Sequence, residues 1–200
     1  MITIVDYGMG NQGSLLNMLK YLGWSAEISS EIKDVERADK IILPGVGAFD
    51  AAIRNLEDRK LRSILLKKAR EDKVPFLGIC LGMQLLTRGS EEGTLPGLNL
   101  IPAATVKFNT DGLKIPHMGW NYVKSNSPSV LTSGFTEEFR FYFVHSYKVM
   151  CDDPNHSILK SDYGGNFDAA IQRENIFGTQ FHPEKSHHYG LHLFSNFLKI

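Results

Sequence analysis

Two short runs of this chain hold residues whose types and spacing suit covalent chemistry. Gly78-Ile79-Cys80-Leu81-Gly82 sets a cysteine between two glycines, where the apolar run "VPFLGI" meets the helix-like "LGMQLLTRG". A nucleophile on a sharp strand-to-helix turn needs small flanks, because the backbone there is strained and a side chain would crowd it. The helix start favours thiolate, and the Leu81 amide is placed to receive an oxyanion. The second run is His182-Pro183-Glu184 in "GTQFHPEKS". A thiol needs a base, and the base needs an orienting partner. With one residue between them in extended geometry, His182 and Glu184 lean to the same side, so the carboxylate can hold the imidazole in one tautomer. Taken alone, Cys80 also fits a buried thiol acting as a small hydrophobe, and His182 with Glu184 also fits an exposed turn. Cys151, in "KVMCDDP", has no such frame and reads as structural.

Two other patterns compete for attention. Gly8, Gly10 and Gly13 spell G-x-G-x-x-G between an apolar and an amphipathic run, with Glu31 about a strand further on. That is the spacing of a dinucleotide-binding turn, although tight turning and close helix packing alone also account for the glycines. His188 and His192 stand at i, i+4, which suits zinc on a helix, and His187 is adjacent. No nearby carboxylate or cysteine completes that set, so neither a metal nor a cofactor is expected.

The elements that must position these residues follow from the hydrophobic pattern. In the first half strand-like runs ("ITIVD", "SAEIS", "KIILPG", "VPFLGI") alternate with helix-like ones ("GSLLNMLKYLG", "AFDAAIRNLED", "LRSILLKKARED"). This alternation argues for a parallel sheet covered on both faces, whose strand ends gather sites along one edge. In the second half "RFYFVHSYKVM" reads as strand, "AAIQREN" and "IFGTQFHPE" as two strands joined by a polar turn, and "HYGLHLFSNFLKI" as a closing helix with Leu191, Phe194 and Phe197 towards the core. The stretch from "TVKFNTDG" to "TSGF" is rich in turn residues. With 200 residues, 42% of them apolar, the chain suits one domain with a substantial core. Its 22 basic residues balance 22 acidic ones, which offers no electrostatic footprint for nucleic acid or an anionic membrane. No apolar stretch approaches the ~20 residues of a membrane helix, and the start lacks the features of a secretory leader. Two cysteines make no disulfide framework, and a cytoplasmic chain is expected.

Together, "DYGMGN", "LPGVGAF", "GICLGMQLL", "PHMGWN", "YFVHSY" and "GTQFHPEKS" resemble class I glutamine amidotransferases, almost end to end. Within that family the resemblance is to glutaminase subunits of imidazole glycerol phosphate synthase, in histidine biosynthesis. It implies a single domain over residues 1–200. The implied fold is a Rossmann-like, flavodoxin-like three-layer sandwich, mostly parallel, with some antiparallel strands in the C-terminal half. It also implies that no nucleotide sits at the glycine-rich start. Cys80, His182 and Glu184 match the catalytic triad; Leu81 and either Val46 or Gly47 match the oxyanion amides. Gln84 and Glu92 match residues that contact substrate L-glutamine, and the backbone at His145, Ser146 and Tyr147 matches the clamp on its α-carboxylate. Trp120, Asn121 and Lys185 match positions facing the partner, a (β/α)8-barrel cyclase that accepts the ammonia. This chain is too short to contain that barrel. "NQGS" and "SHHYG" depart from the pattern, which admits a paralogous glutaminase supplying ammonia to a surface-sugar amidotransferase.

Overall fold

In a computed structural model that describes residues 1–109 and 112–200, the first half is a parallel βα alternation. β1 (Ile2–Val5), β2 (Ala26–Ser29), β3 (Lys40–Gly45) and β4 (Phe76–Cys80) alternate with α1 (Gln12–Tyr21), α2 (Ile32–Glu36), α3 (Phe49–Asp58) and α4 (Leu61–Arg70). A short α5 (Leu81–Leu85) follows β4 without a break. Then come β5 (Ala103–Lys107), β6 (His117–Tyr122), β7 (Lys124–Ser125), β8 (Arg140–His145), β9 (Tyr147–Cys151), β10 (Ser157–Asp162), β11 (Asn166–Arg173) and β12 (Ile176–Thr179), and the closing α6 (His187–Leu198). The central sheet runs β2-β1-β3-β4-β12-β11-β10-β7. It is parallel from β2 through β12 and antiparallel beyond. This is the mostly parallel sandwich that the alternation predicts. Two two-stranded ribbons, β5-β9 and β6-β8, stand apart from it.

Period-two alternation sends neighbouring residues to opposite faces of the sheet. Ile41, Leu43 and Phe76 pack with Phe49, Leu56, Leu61 and Leu65 on the α3–α4 side. Ile42, Leu77, Ile79 and Phe177 pack with Leu15, Leu19, Phe194 and Phe197 on the α1–α6 side. Leu193 is buried there, whereas Leu191, expected towards the core, is only half-buried.

Three sequence expectations need correction. "RFYFVHSYKVM" is not one strand: it breaks at Ser146, and its halves pair in different ribbons. The helix after Cys80 is shorter than "LGMQLLTRG", because the Thr87 hydroxyl bonds the Gln84 carbonyl and the chain turns away. Gly13, which close packing was to explain, has no heavy atom of the described residues within 4 Å of where a Cβ would stand. The third glycine of a dinucleotide fingerprint serves close helix packing, and that contact is missing here.

Candidate active site

Register explains why distant residues meet. Gly45 at the end of β3 pairs with Cys80 at the end of β4, and Thr179 at the end of β12 pairs with Ile79. The segments leaving these three parallel strands therefore emerge at one edge of the sheet. They border a cleft of about 280 Å³ lined by Val46, Gly47, Cys80, Leu81, Gln84 and His182, with Glu92 at its exposed rim. Pro116 and residues 144–147 close the opposite wall. This size suits a small ligand. A larger groove of about 1030 Å³, around Ser125, Thr132 and Lys199, is built from other residues and contains none of the cysteine, histidine or glutamate groups singled out above.

Cys80 sits in the left-handed region, φ 55° and ψ −111°, as the cap residue of α5. A non-glycine residue there is strained, as on a nucleophile elbow. The turn is tight enough that a Cβ on Gly82 would lie 1.8 Å from the Leu43 carbonyl oxygen. As the first residue of α5, Leu81 has a backbone N–H with no intrahelical acceptor. The Cys80 sulfur lies 3.9 Å from the Val144 carbonyl and accepts from Gln180 Nε2 at 3.8 Å.

His182 Nδ1 is 2.8 Å from Glu184 Oε1, and both side chains are almost fully buried. The geometry is not the extended one expected. Pro183–Lys185 forms a 3₁₀ turn, which the fixed φ of Pro183 suits, and it brings the carboxylate back to the ring. Burial lowers the His182 pKa, but the sulfur of Cys80 and the Glu184 carboxylate outweigh it and raise the pKa above the usual histidine value. His182 Nε2, on the ring edge opposite Glu184, is buried with no conventional hydrogen-bond partner among the described residues. A histidine braced by a carboxylate beside a cysteine sulfur is an arrangement that can activate the thiol as a nucleophile.

A family model described as glutamine amidotransferase class-I matches residues 3–200. The chain belongs to the class I glutamine amidotransferases. It is 50% identical over 200 residues to the imidazole glycerol phosphate synthase subunit HisH 2 of Methanococcus maripaludis, covering 100% of this chain and 99% of that one. It is 47% identical to the subunit of the same name from Pseudomonas aeruginosa, with both chains covered fully. Among solved structures, PurLQS from Thermotoga maritima superposes with a TM-score of 0.76 at 20% identity, covering 99% of this chain and 97% of that one. Another glutamine amidotransferase superposes at 0.75 and 16%, covering 100% and 98%. At such identities these structures speak to the fold.

In this amidotransferase Gln84 donates from Nε2 to Gln180 Oε1 at 3.1 Å and to the Tyr147 carbonyl at 3.4 Å. With both amide hydrogens committed, its Oε1 is the acceptor left for a ligand. Glu92 Oε2 accepts from the Phe49 amide at 2.9 Å, at the start of α3. Trp120 packs edge-on against Tyr142, and Lys185 Nζ lies 5.8 Å from the same ring, so these two positions share an exposed face with Met118 and Tyr122. Asn121 does not join them. Strand alternation turns it to the other side of β6, where Nδ2 donates to the Asp162 carbonyl at 2.8 Å and bonds His117 Nε2 at 3.2 Å. The C-terminal histidines separate: His187 stacks on Trp120, His188 lies tilted against its neighbour Tyr189, and His192 bonds the Ser133 carbonyl.

Three supporting residues escaped the sequence reading. Gln180, wholly buried, bridges Gln84 and the sulfur. Ser186 donates to the His182 carbonyl at 2.6 Å and accepts from the Tyr142 amide at 3.0 Å, fastening the 3₁₀ turn to β8. The Tyr7 hydroxyl donates to the Pro44 carbonyl at 2.7 Å and so holds the segment that leads into Val46 and Gly47. Burial, and then Cys80, push its pKa up, so it stays a donor. All three lie inside motifs quoted for other residues.

Proposed function

We propose that this chain is the glutaminase subunit of an imidazole glycerol phosphate synthase, hydrolysing L-glutamine to glutamate and ammonia. The observation that carries the reading is the meeting of Cys80 and His182 in the cleft that Gln84 also lines, with Glu184 bonded to the His182 ring. Cys80 thiolate attacks the side-chain carboxamide. The Leu81 amide and one from Val46 or Gly47 hold the oxyanion; losing one such donor costs on the order of 10²–10³ in rate. His182 protonates the departing ammonia, then activates water against the thioester, while Glu184 keeps its ring oriented. Gln84 and Glu92 take the amino-acid end of glutamine, with its α-carboxylate on the backbone of His145, Ser146 and Tyr147.

Residues 1–200 act as one cytoplasmic domain. Ammonia released into water becomes ammonium and loses nucleophilicity, so the proposal includes a (β/α)8-barrel cyclase docked on the face of Trp120 and Lys185. Docking would turn an amide of the "PGVG" segment towards the oxyanion, leaving the isolated chain a weak glutaminase. A second reading keeps this chemistry but delivers ammonia to a sugar amidotransferase. The departures at "NQGS" and "SHHYG" favour it.

The test is ammonia transfer. The chain is combined with a synthase barrel, ¹⁵N-amide glutamine and the cyclase substrate. Nitrogen in the imidazole product, and faster glutamine turnover than by the chain alone, are expected. Weak turnover that the barrel neither accelerates nor converts to transfer points to the sugar acceptor. No turnover under either condition overturns both readings.

A further inference from the structure

A continuous hydrogen-bonded path leaves the Cys80 sulfur and ends on β6. Gln180 Nε2 donates to the sulfur, Gln84 Nε2 donates to Gln180 Oε1, and Gln84 also donates to the Tyr147 carbonyl. That carbonyl receives a second contact from His145 Nδ1 at 2.7 Å. His145 Nε2 meets His117 Nδ1 at 2.9 Å, and His117 Nε2 meets Asn121 Nδ2 at 3.2 Å.

The protons on this path can be assigned without seeing them. A carbonyl oxygen only accepts, so His145 carries its hydrogen on Nδ1. A neutral His145 then accepts at Nε2, and His117 must donate from Nδ1. Its own Nε2 is left to accept from Asn121, whose amide nitrogen has one hydrogen for that ring and one for the Asp162 carbonyl. Both rings are neutral near pH 7: burial pushes His117 down to about 4 and, with neighbouring His117 and His182, His145 down to about 3. Stacking fixes the His117 plane between Tyr163, 4.1 Å away, and Phe143, 4.9 Å away. The two rings therefore form a one-way relay, since reversing either would set two acceptors or two donors face to face.

We propose that His117 is a positioning residue for the substrate cleft: by donating to His145 it holds the Tyr147 carbonyl, which orients Gln84 and Gln180 around the Cys80 sulfur. The role rests on the glutaminase reading above. The side chain of His117 is not among those lining the cleft, so it acts through His145. Without its donor, His145 Nε2 becomes a buried acceptor with no partner, and the ring is free to turn from the Tyr147 carbonyl.

The test labels Cys80 with a chloroketone analogue of glutamine, quantified by mass spectrometry, alongside iodoacetamide. His117→Phe keeps the stacking and loses the donor. Its half-saturating analogue concentration should rise about tenfold, the order of effect of an unpaired buried group, while alkylation by iodoacetamide stays within about twofold. His117→Gln can donate and accept at once and should recover to within about threefold of the parent. Wild-type saturation in His117→Phe, or no recovery in a folded His117→Gln, overturns the proposal. Imidazole ¹⁵N NMR of the unaltered chain tests it without any variant. Nδ1–H tautomers on both rings at pH 7 are expected, and an Nε2–H or charged ring on either overturns it. If the parent reacts with iodoacetamide but not with the analogue, the glutaminase reading fails instead, and the tautomers still decide the relay.

Discussion

Cys80 holds a side chain at a φ of 55°, a conformation that costs an ordinary residue about 1–3 kcal/mol. The surroundings impose it: β4 and α5 leave no room for another path. Strain that survives in this way should serve the sulfur and not the stability of the chain. Cys80→Ala is therefore expected to lower partner-stimulated glutamine turnover by at least about 10³-fold, with a melting temperature within a few degrees of the parent. Tyr7 makes the opposite prediction. Tyr7→Phe leaves the buried Pro44 carbonyl without its donor and should cost roughly 1–3 kcal/mol in urea unfolding. The difference between the two residues also marks what the sequence can reveal. A thiol between glycines, or a histidine two positions from a glutamate, is a local pattern. Tyr7 is 37 positions from Pro44, and Gln180 is 96 from Gln84. Polar contacts at such separations leave no period or spacing to read.

At the scale of elements, the α5 start is pressed onto β3. The Gly82 position has no space for even a methyl group, because the Leu43 carbonyl oxygen would lie 1.8 Å from it. Gly82→Ala should displace α5 and destabilise the chain by about 1–3 kcal/mol or more, read as a lowered midpoint in denaturant together with lost Cys80 labelling. The parallel half of the sheet was legible because each strand is a short apolar run followed by an amphipathic helix. The ribbons were not. "RFYFVHSYKVM" is strand-like throughout, and only tertiary pairing with β6 on one side of Ser146 and β5 on the other splits it. Likewise, the spacing of His182 and Glu184 suggested their contact, but the 3₁₀ turn that makes it depends on the Ser186 hydroxyl bonding β8.

Across the whole molecule, the sheet register carries three strand ends to one edge, and buried histidines make the assembled state sensitive to pH. His117 and His145 have folded pKa values of about 4 and about 3, below the ordinary value near 6.5. Their neutral burial contributes full stability above about pH 6.5, and that contribution is lost as pH falls towards 4, because the unfolded chain binds more protons there. His182, raised above the ordinary value, acts in the opposite sense: its contribution is present below about 6.5 and is lost as pH rises through its folded pKa. Melting temperature should therefore fall steeply between about pH 6.5 and 4, and the slope should shrink in His117→Gln. The central claim is that the sulfur of Cys80, activated by His182 and Glu184, breaks the side-chain amide of glutamine. The most direct measurement follows ¹⁵N-amide glutamine by NMR in the presence of a cyclase partner. Glutamate and ¹⁵N-ammonia should appear in equal amounts with the parent chain and stop with Cys80→Ala; turnover that persists in Cys80→Ala would contradict the account.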